Sequence, residues 1–170
     1  MTTAQADAGG TTKPWPRGKV LGGSGAINGM FWCRGDKSEY DAWAQLNPGG
    51  EVTWNGDELF KYINKAENYS APTAEQIAYS NGGEFDASVH GTSGPIQAGF
   101  SAYWYGGYEK WIPAWESLGF PSVDGAGGKN RGGSITPSTL NPSNQTRSDS
   151  KAGYIECVPS LSSHPCATPY

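Results

Sequence analysis

No basic cluster occurs anywhere in these 170 residues. The 12 Lys and Arg are scattered, and 16 Asp and Glu outnumber them for a net charge of -4. Nucleic acid needs concentrated positive charge on its partner, so nucleic-acid binding is not expected. No apolar run approaches the ~20 residues that a membrane-spanning helix requires, so no membrane role is expected. The opening "MTTAQADAGGTTKPWP" lacks the apolar core of a signal peptide and leaves localisation unknown. Three cysteines, Cys33, Cys157 and Cys166, make neither a disulfide framework nor a C-x-x-C pair, and read as one semi-buried and two tail thiols. With two histidines, no zinc-like spacing and no Asp-rich loop, no metal site is expected. A hydrolase triad fails too, because the G-x-S-x-G elbow is missing and His164 falls in a patternless tail. His90 reads as a structural residue that hydrogen-bonds the turn following it.

What is abundant is glycine, 25 residues, beside 12 prolines, seven Trp and nine Tyr. Long regular elements should be scarce, yet the aromatics supply enough buried area for a folded, loop-rich chain. Residues 1–14 read as a disordered leader and 156–170 as a divergent tail. Between them, Asp36–Leu46 suits a short helix with Tyr40, Trp43, Ala44 and Leu46 on one face. A second helix follows, with Asp57 and Glu58 in its first turn and an apolar stripe of Leu59, Phe60, Tyr62 and Ile63. Residues 69–90 lack periodicity and predict a long surface loop. His90–Phe100 predicts a strand. Tyr108–Phe120 predicts a helix burying Trp111, Ile112, Trp115 and Leu118, stopped at Gly119 and with Pro113 bending it or in its first turn. Thr146–Ile155 predicts a helix entry with Ser148 as cap. The class is α/β, or α+β if the chain is a fragment.

The stretch "PRGKVLGGSGAINGMFWCRG" is neither a P-loop nor a dinucleotide fingerprint: no Lys follows Gly25 or Gly29, and Asn28 stands where G-x-G-x-x-G needs its third glycine. Residue types alone allow two readings. Glycines permit a tight structural crossing, or they bare main-chain amides against a flat or anionic ligand. "AYWYGGYEKW" raises a third possibility, a carbohydrate-binding module stacking sugars on Tyr103, Trp104, Tyr105 and Tyr108.

The order of residues then separates the readings. Gly18, the run Leu21-Gly22-Gly23-Ser24, Asn28-Gly29-Met30, Arg34-Gly35 and Asp41-Ala42-Trp43 resemble the first signature of the glucose–methanol–choline (GMC) flavin oxidoreductases. "TWNGDELFKYINKAEN", "HGTSGPIQAG" and "RSDSKAGYI" resemble three further segments of that family in the same order, nearest its glucose-oxidase and aryl-alcohol-oxidase side. The resemblance implies part of an FAD-binding domain over residues 15–155 with the start of the substrate domain. It implies oxidation of an alcohol or sugar hydroxyl by hydride transfer to flavin N5 in a longer parent. Carried over by position, Val20, Gly22, Gly23, Ser24, Asn28, Gly29, Met30 and Phe31 are the cofactor contacts. Ile27 replaces the histidine through which some relatives attach flavin, so the FAD is expected to be non-covalent. Val89 replaces a cysteine of the glucose-oxidase branch, so that branch's disulfide is ruled out. The family's ADP-binding G-x-G-x-x-G turn and its flavin-facing histidines have no counterpart here. No catalytic residue is therefore expected, and the chain alone is expected to be inactive.

Overall fold

Asp36 opens the first helix by accepting from Ser38 N at 3.0 Å, while Glu39 reaches back to Asp36 N, also at 3.0 Å. This capping box starts α1, Lys37–Leu46, in a computed structural model that describes residues 1–49 and 54–156. Asn55 caps α2, Gly56–Ala66, by accepting from Glu58 N at 2.9 Å. Strand β1, Glu67–Tyr69, continues directly from α2 and pairs in parallel with β2, Ile96–Ala98, in the register Glu67 to Ile96. Helix α3, Ala74–Ser80, and helix α4, Tyr108–Ser117, pack together beside this pair. Antiparallel β3, Leu140–Asn141, and β4, Thr146–Arg147, lead into α5, Ser150–Tyr154. The mixed helix and strand class is as expected.

The core is small: Tyr69, Phe100, Ile112 and Ile135, with Phe85 and Trp104 packed against it. Each fully buried large apolar side chain contributes about 1.5–3 kcal/mol. Gly153 lets α5 press onto β2, because a Cβ there would stand 2.7 Å from Ile96 Cδ1. Pro113 lies inside α4 and has no N–H for the Glu109 carbonyl one turn back. Asn81 Nδ2 donates to that carbonyl instead, at 3.1 Å, and so couples α3 to α4.

Several sequence expectations are corrected. The loop expected over 69–90 contains both β1 residue Tyr69 and α3, which a capping box of Thr73 and Gln76 starts. The pattern T-x-x-Q was there to be read. Tyr62, Leu46, Trp43 and Leu118 are exposed, so the predicted apolar stripes are narrower than their spacing implied. In α4 only Ile112 is fully buried, and Trp111 is exposed. Ser148 does not cap α5. Asp149 does, through Ala152 N, while Ser148 is buried and accepts from Gln97 N at 2.9 Å. Cys33 is exposed, and Cys157, Cys166 and His164 lie outside the described residues. Residues 1–14 close on themselves, with Thr2 N donating to Lys13 O at 2.9 Å. Apart from Glu156, the expected tail lies outside the described residues. No helix among them is long and apolar enough to cross a membrane.

Candidate functional site

The glycine-rich segment forms a raised loop held from below. Gly22 and Gly23 adopt φ of 96° and 59°, which glycine takes without steric cost, and a single 3-10 turn runs from Gly23 to Ala26. Gly18 closes the base: a Cβ there would lie 2.1 Å from Gly23 O. Its N–H donates to Ser24 Oγ at 3.2 Å. At the far end, Trp32 N donates to Pro137 O and Thr139 N donates to Met30 O, at 2.9 and 2.7 Å. Residues 137–139 thus splint the loop's exit to the sheet, since Ser138 also exchanges bonds with Gly99 beyond β2.

The loop's outer side is apolar and open. Val20, Leu21, Ile27 and Phe31 are exposed, Phe31 by 75%. Gly23 N and Met30 N are used within the loop, donating to Val20 O and to Asn28 Oδ1. The amides of Val20, Leu21, Gly22, Gly29 and Phe31 donate to no group among the described residues. Met30 itself sits at φ 66°, an unfavourable region for a side chain with a Cβ. Five bare N–H groups among exposed apolar side chains can serve a flat ligand carrying acceptor atoms.

The clamp beneath the loop comes from about 120 residues downstream. Arg147 Nη1 donates to Gly25 O at 3.0 Å and to Asn28 Oδ1 at 2.7 Å, and its Nη2 donates to Asn28 O at 2.9 Å. Ser150 Oγ donates to Gly22 O at 3.1 Å. Sequence reading singled out the "RSD" segment without giving it a task. Its partners lie across the fold, and no local pattern announces them.

A second polar centre lies buried behind the loop's exit. Arg34 Nη2 donates to Glu67 Oε2 at 2.6 Å, with both side chains sealed from solvent. Glu67 Oε1 also accepts from Trp32 Nε1 at 2.7 Å, and its Oε2 accepts from Gly91 N at 2.8 Å. His90 places Nδ1 2.8 Å from Glu67 Oε1 and Nε2 3.2 Å from Asp124 Oδ2, and stacks flat on Tyr69 at 3.7 Å. Both ring nitrogens therefore face carboxylate oxygens, which only an imidazolium can satisfy. Burial lowers the pKa of His90, but the hydrogen bonds with Asp124 and Glu67 outweigh it and the net shift is upward. Burial raises Glu67 and Asp124, yet their bonds to His90 and to backbone amides bring both below the ordinary carboxylate range. Burial also lowers the Arg34 guanidinium, against the pull of Glu67. Two cations and two carboxylates thus balance. The sequence reading of His90 is corrected: it is structural, but it bonds these carboxylates and not the turn that follows it.

The carbohydrate-module reading gains no support, and the four aromatic rings proposed for it do not share one open face. Trp104 packs inward on Phe100 and Tyr108, at 6.1 and 5.2 Å, and Tyr103 and Tyr105 meet edge to face at 82°. Tyr103, Tyr105 and Tyr108 remain exposed, so Trp104 is the one ring of the four that is withdrawn.

Residues 3–160 match the family profile described as GMC oxidoreductase. The chain belongs to the GMC oxidoreductase family. A glucose oxidase-like protein, fsoC, of Humicola fuscoatra is 37% identical over 161 residues, covering 92% of this chain and 26% of that protein. An FAD-dependent oxidoreductase from Chaetomium thermophilum superposes with a TM-score of 0.82 at 31% identity, over 95% of this chain and 28% of its own. A fungal aryl-alcohol oxidase superposes at 0.71 with 27% identity, over 84% of this chain and 24% of its own. This GMC chain therefore spans about a quarter of the length of these relatives. Among its described residues no grouping of three or more His, Cys, Asp or Glu could hold a metal ion.

Proposed function

We propose that the Val20–Phe31 loop lines FAD, bound without a covalent link, in an oxidoreductase acting on the CH–OH group of a small alcohol or sugar. The observation that carries this reading is the loop's outer side: bare amides of Val20, Gly22, Gly29 and Phe31 set among exposed Val20, Leu21, Ile27 and Phe31. An isoalloxazine ring presents apolar faces and a rim of acceptor atoms, so this donor set fits it. Gly23 meets nothing within 4 Å at the position of a Cβ, which leaves the main chain free to approach a ring closely. Ser24 braces the loop from inside through Gly18, and Asn28 and Met30 set its bend.

The names borne by the relatives support the cofactor and the donor class. The loop has no His or Cys between Val20 and Phe31, which favours non-covalent binding. Flavin, when bound, supplies the hydride acceptor, and this chain's residues hold and orient it. His90 takes no part in proton transfer, since both its ring nitrogens are engaged by buried carboxylates. The test is titration of the chain with FAD, following flavin emission and visible circular dichroism. Quenching with an induced visible band is expected. An FAD spectrum unchanged up to millimolar protein overturns the reading.

A further inference from the structure

Asn28 is held by more than its own loop. Its Oδ1 accepts from Arg147 Nη1 at 2.7 Å and from Met30 N at 3.0 Å, and its carbonyl accepts from Arg147 Nη2 at 2.9 Å. Two donors on the side-chain oxygen settle which way the amide is turned. The Asn28 Nδ2 group then keeps its hydrogens unpartnered among the described residues, beside the free amides of Gly29 and Phe31. Arg147 has no ion-pair partner among the described residues, so its fork is committed to the loop through Gly25 O and both Asn28 oxygens. A planar guanidinium can reach three acceptors on one loop in fixed directions, and a lysine ammonium cannot reproduce that fork.

We infer that Arg147 is a positioning residue for the cofactor: it presets the Asn28 amide as a donor and fixes the loop's curvature before FAD arrives. This rests on the flavin reading above, and deepens it by naming what makes the site ready. Ordering a loop in advance removes a cost that binding would otherwise carry, so the consequence belongs to affinity. Ser150 supports the same end of the loop through Gly22 O at 3.1 Å, but it bonds neither Asn28 nor Gly25.

The experiment compares the wild-type chain with Arg147→Gln, Arg147→Lys, Asn28→Ala and the Arg147→Gln/Asn28→Ala double variant. It reads amide hydrogen exchange of residues 18–32 without ligand and the FAD dissociation constant by flavin emission. Lys110→Gln, an exposed cation outside the loop, is the charge control. Arg147→Gln is expected to accelerate exchange of the loop at least tenfold and to weaken FAD at least tenfold. Millimolar guanidinium should recover part of both losses, whereas Arg147→Lys should recover little. In the Asn28→Ala background the Arg147 change should weaken FAD by less than about threefold, because its route is already cut. Uniformly faster exchange across the whole chain, with no guanidinium recovery, marks a general stability role and overturns the inference. So does FAD binding by wild type that is indifferent to Arg147. Absence of any FAD binding by wild type removes the flavin reading itself, a separate outcome.

Discussion

Arg34 and Glu67 meet at 2.6 Å with both side chains shut off from solvent, one from the irregular segment leaving the glycine loop and the other from the first residue of β1. A buried pair of this kind is not a net source of stability by itself, but removing one partner leaves a charge without compensation. Glu67 also serves Trp32, His90 and Gly91. Four groups from two separate segments, 32–34 and 90–91, therefore depend on one carboxylate.

Glu67→Gln should lower the unfolding free energy by about 3–5 kcal/mol, because an amide NH2 would be turned toward a group that is itself a donor. Chemical denaturation measures it. A loss below about 1 kcal/mol, the size of a surface pair, would show the network to be dispensable.

His90 gives this stability a defined pH window. Its pKa is raised from 6.5, so its contribution is complete below that value and is lost as pH rises through the folded-state pKa. Glu67 and Asp124 are lowered, so theirs is present above the ordinary carboxylate range and is lost as pH falls through their depressed values. Denaturation midpoints from about pH 5 to about pH 9 should decline on the alkaline side, and His90→Gln should abolish that decline. A wild-type profile level through the alkaline range would mean a neutral imidazole.

Two glycines of the loop should respond oppositely to alanine. At Gly18 the new Cβ would stand 2.1 Å from Gly23 O, a main-chain atom, so the loop must open. Gly18→Ala should destabilise the fold and speed exchange of residues 18–27. At Gly29 the nearest atom is Phe31 Cδ2 at 3.6 Å, an ordinary contact. Gly29→Ala should leave stability within about 0.5 kcal/mol while weakening FAD, since only a ligand would meet the methyl group. Equal FAD affinity in Gly29→Ala and wild type would remove Gly29 from the contact set.

Asn81 and Pro113 should prove to be coupled. Asn81→Asp keeps a residue that tolerates φ 52° but removes the donor to Glu109 O, at a cost of about 1 kcal/mol. Pro113→Ala restores a helical N–H for that carbonyl. A double-mutant cycle by thermal unfolding should show the Asn81 change costing less in the Pro113→Ala background.

Much of this was legible along the chain because it is local. The helix over Asp36–Leu46, the helix with Asp57 and Glu58 in its first turn, the stop at Gly119 with φ 81°, and the strand after His90 each follow from a few adjacent residues. The capping box of Thr73 and Gln76 was equally local and went unread because the segment lacks an apolar period. Burial was less legible. Spacing assigns residues to a face, but only neighbouring elements decide how wide a stripe of it is covered, and Tyr62 and Leu118 fall outside.

By itself the sequence determined the elements, the family signature in its order, and the glycines that let the loop between Val20 and Phe31 expose its amides. Tertiary structure alone decided that Arg147 reaches back to Asn28, and that His90 lies between Glu67 and Asp124. Those bonds join groups 119, 23 and 34 positions apart, and their strength depends on burial and direction, which arise only once the chain has closed on itself.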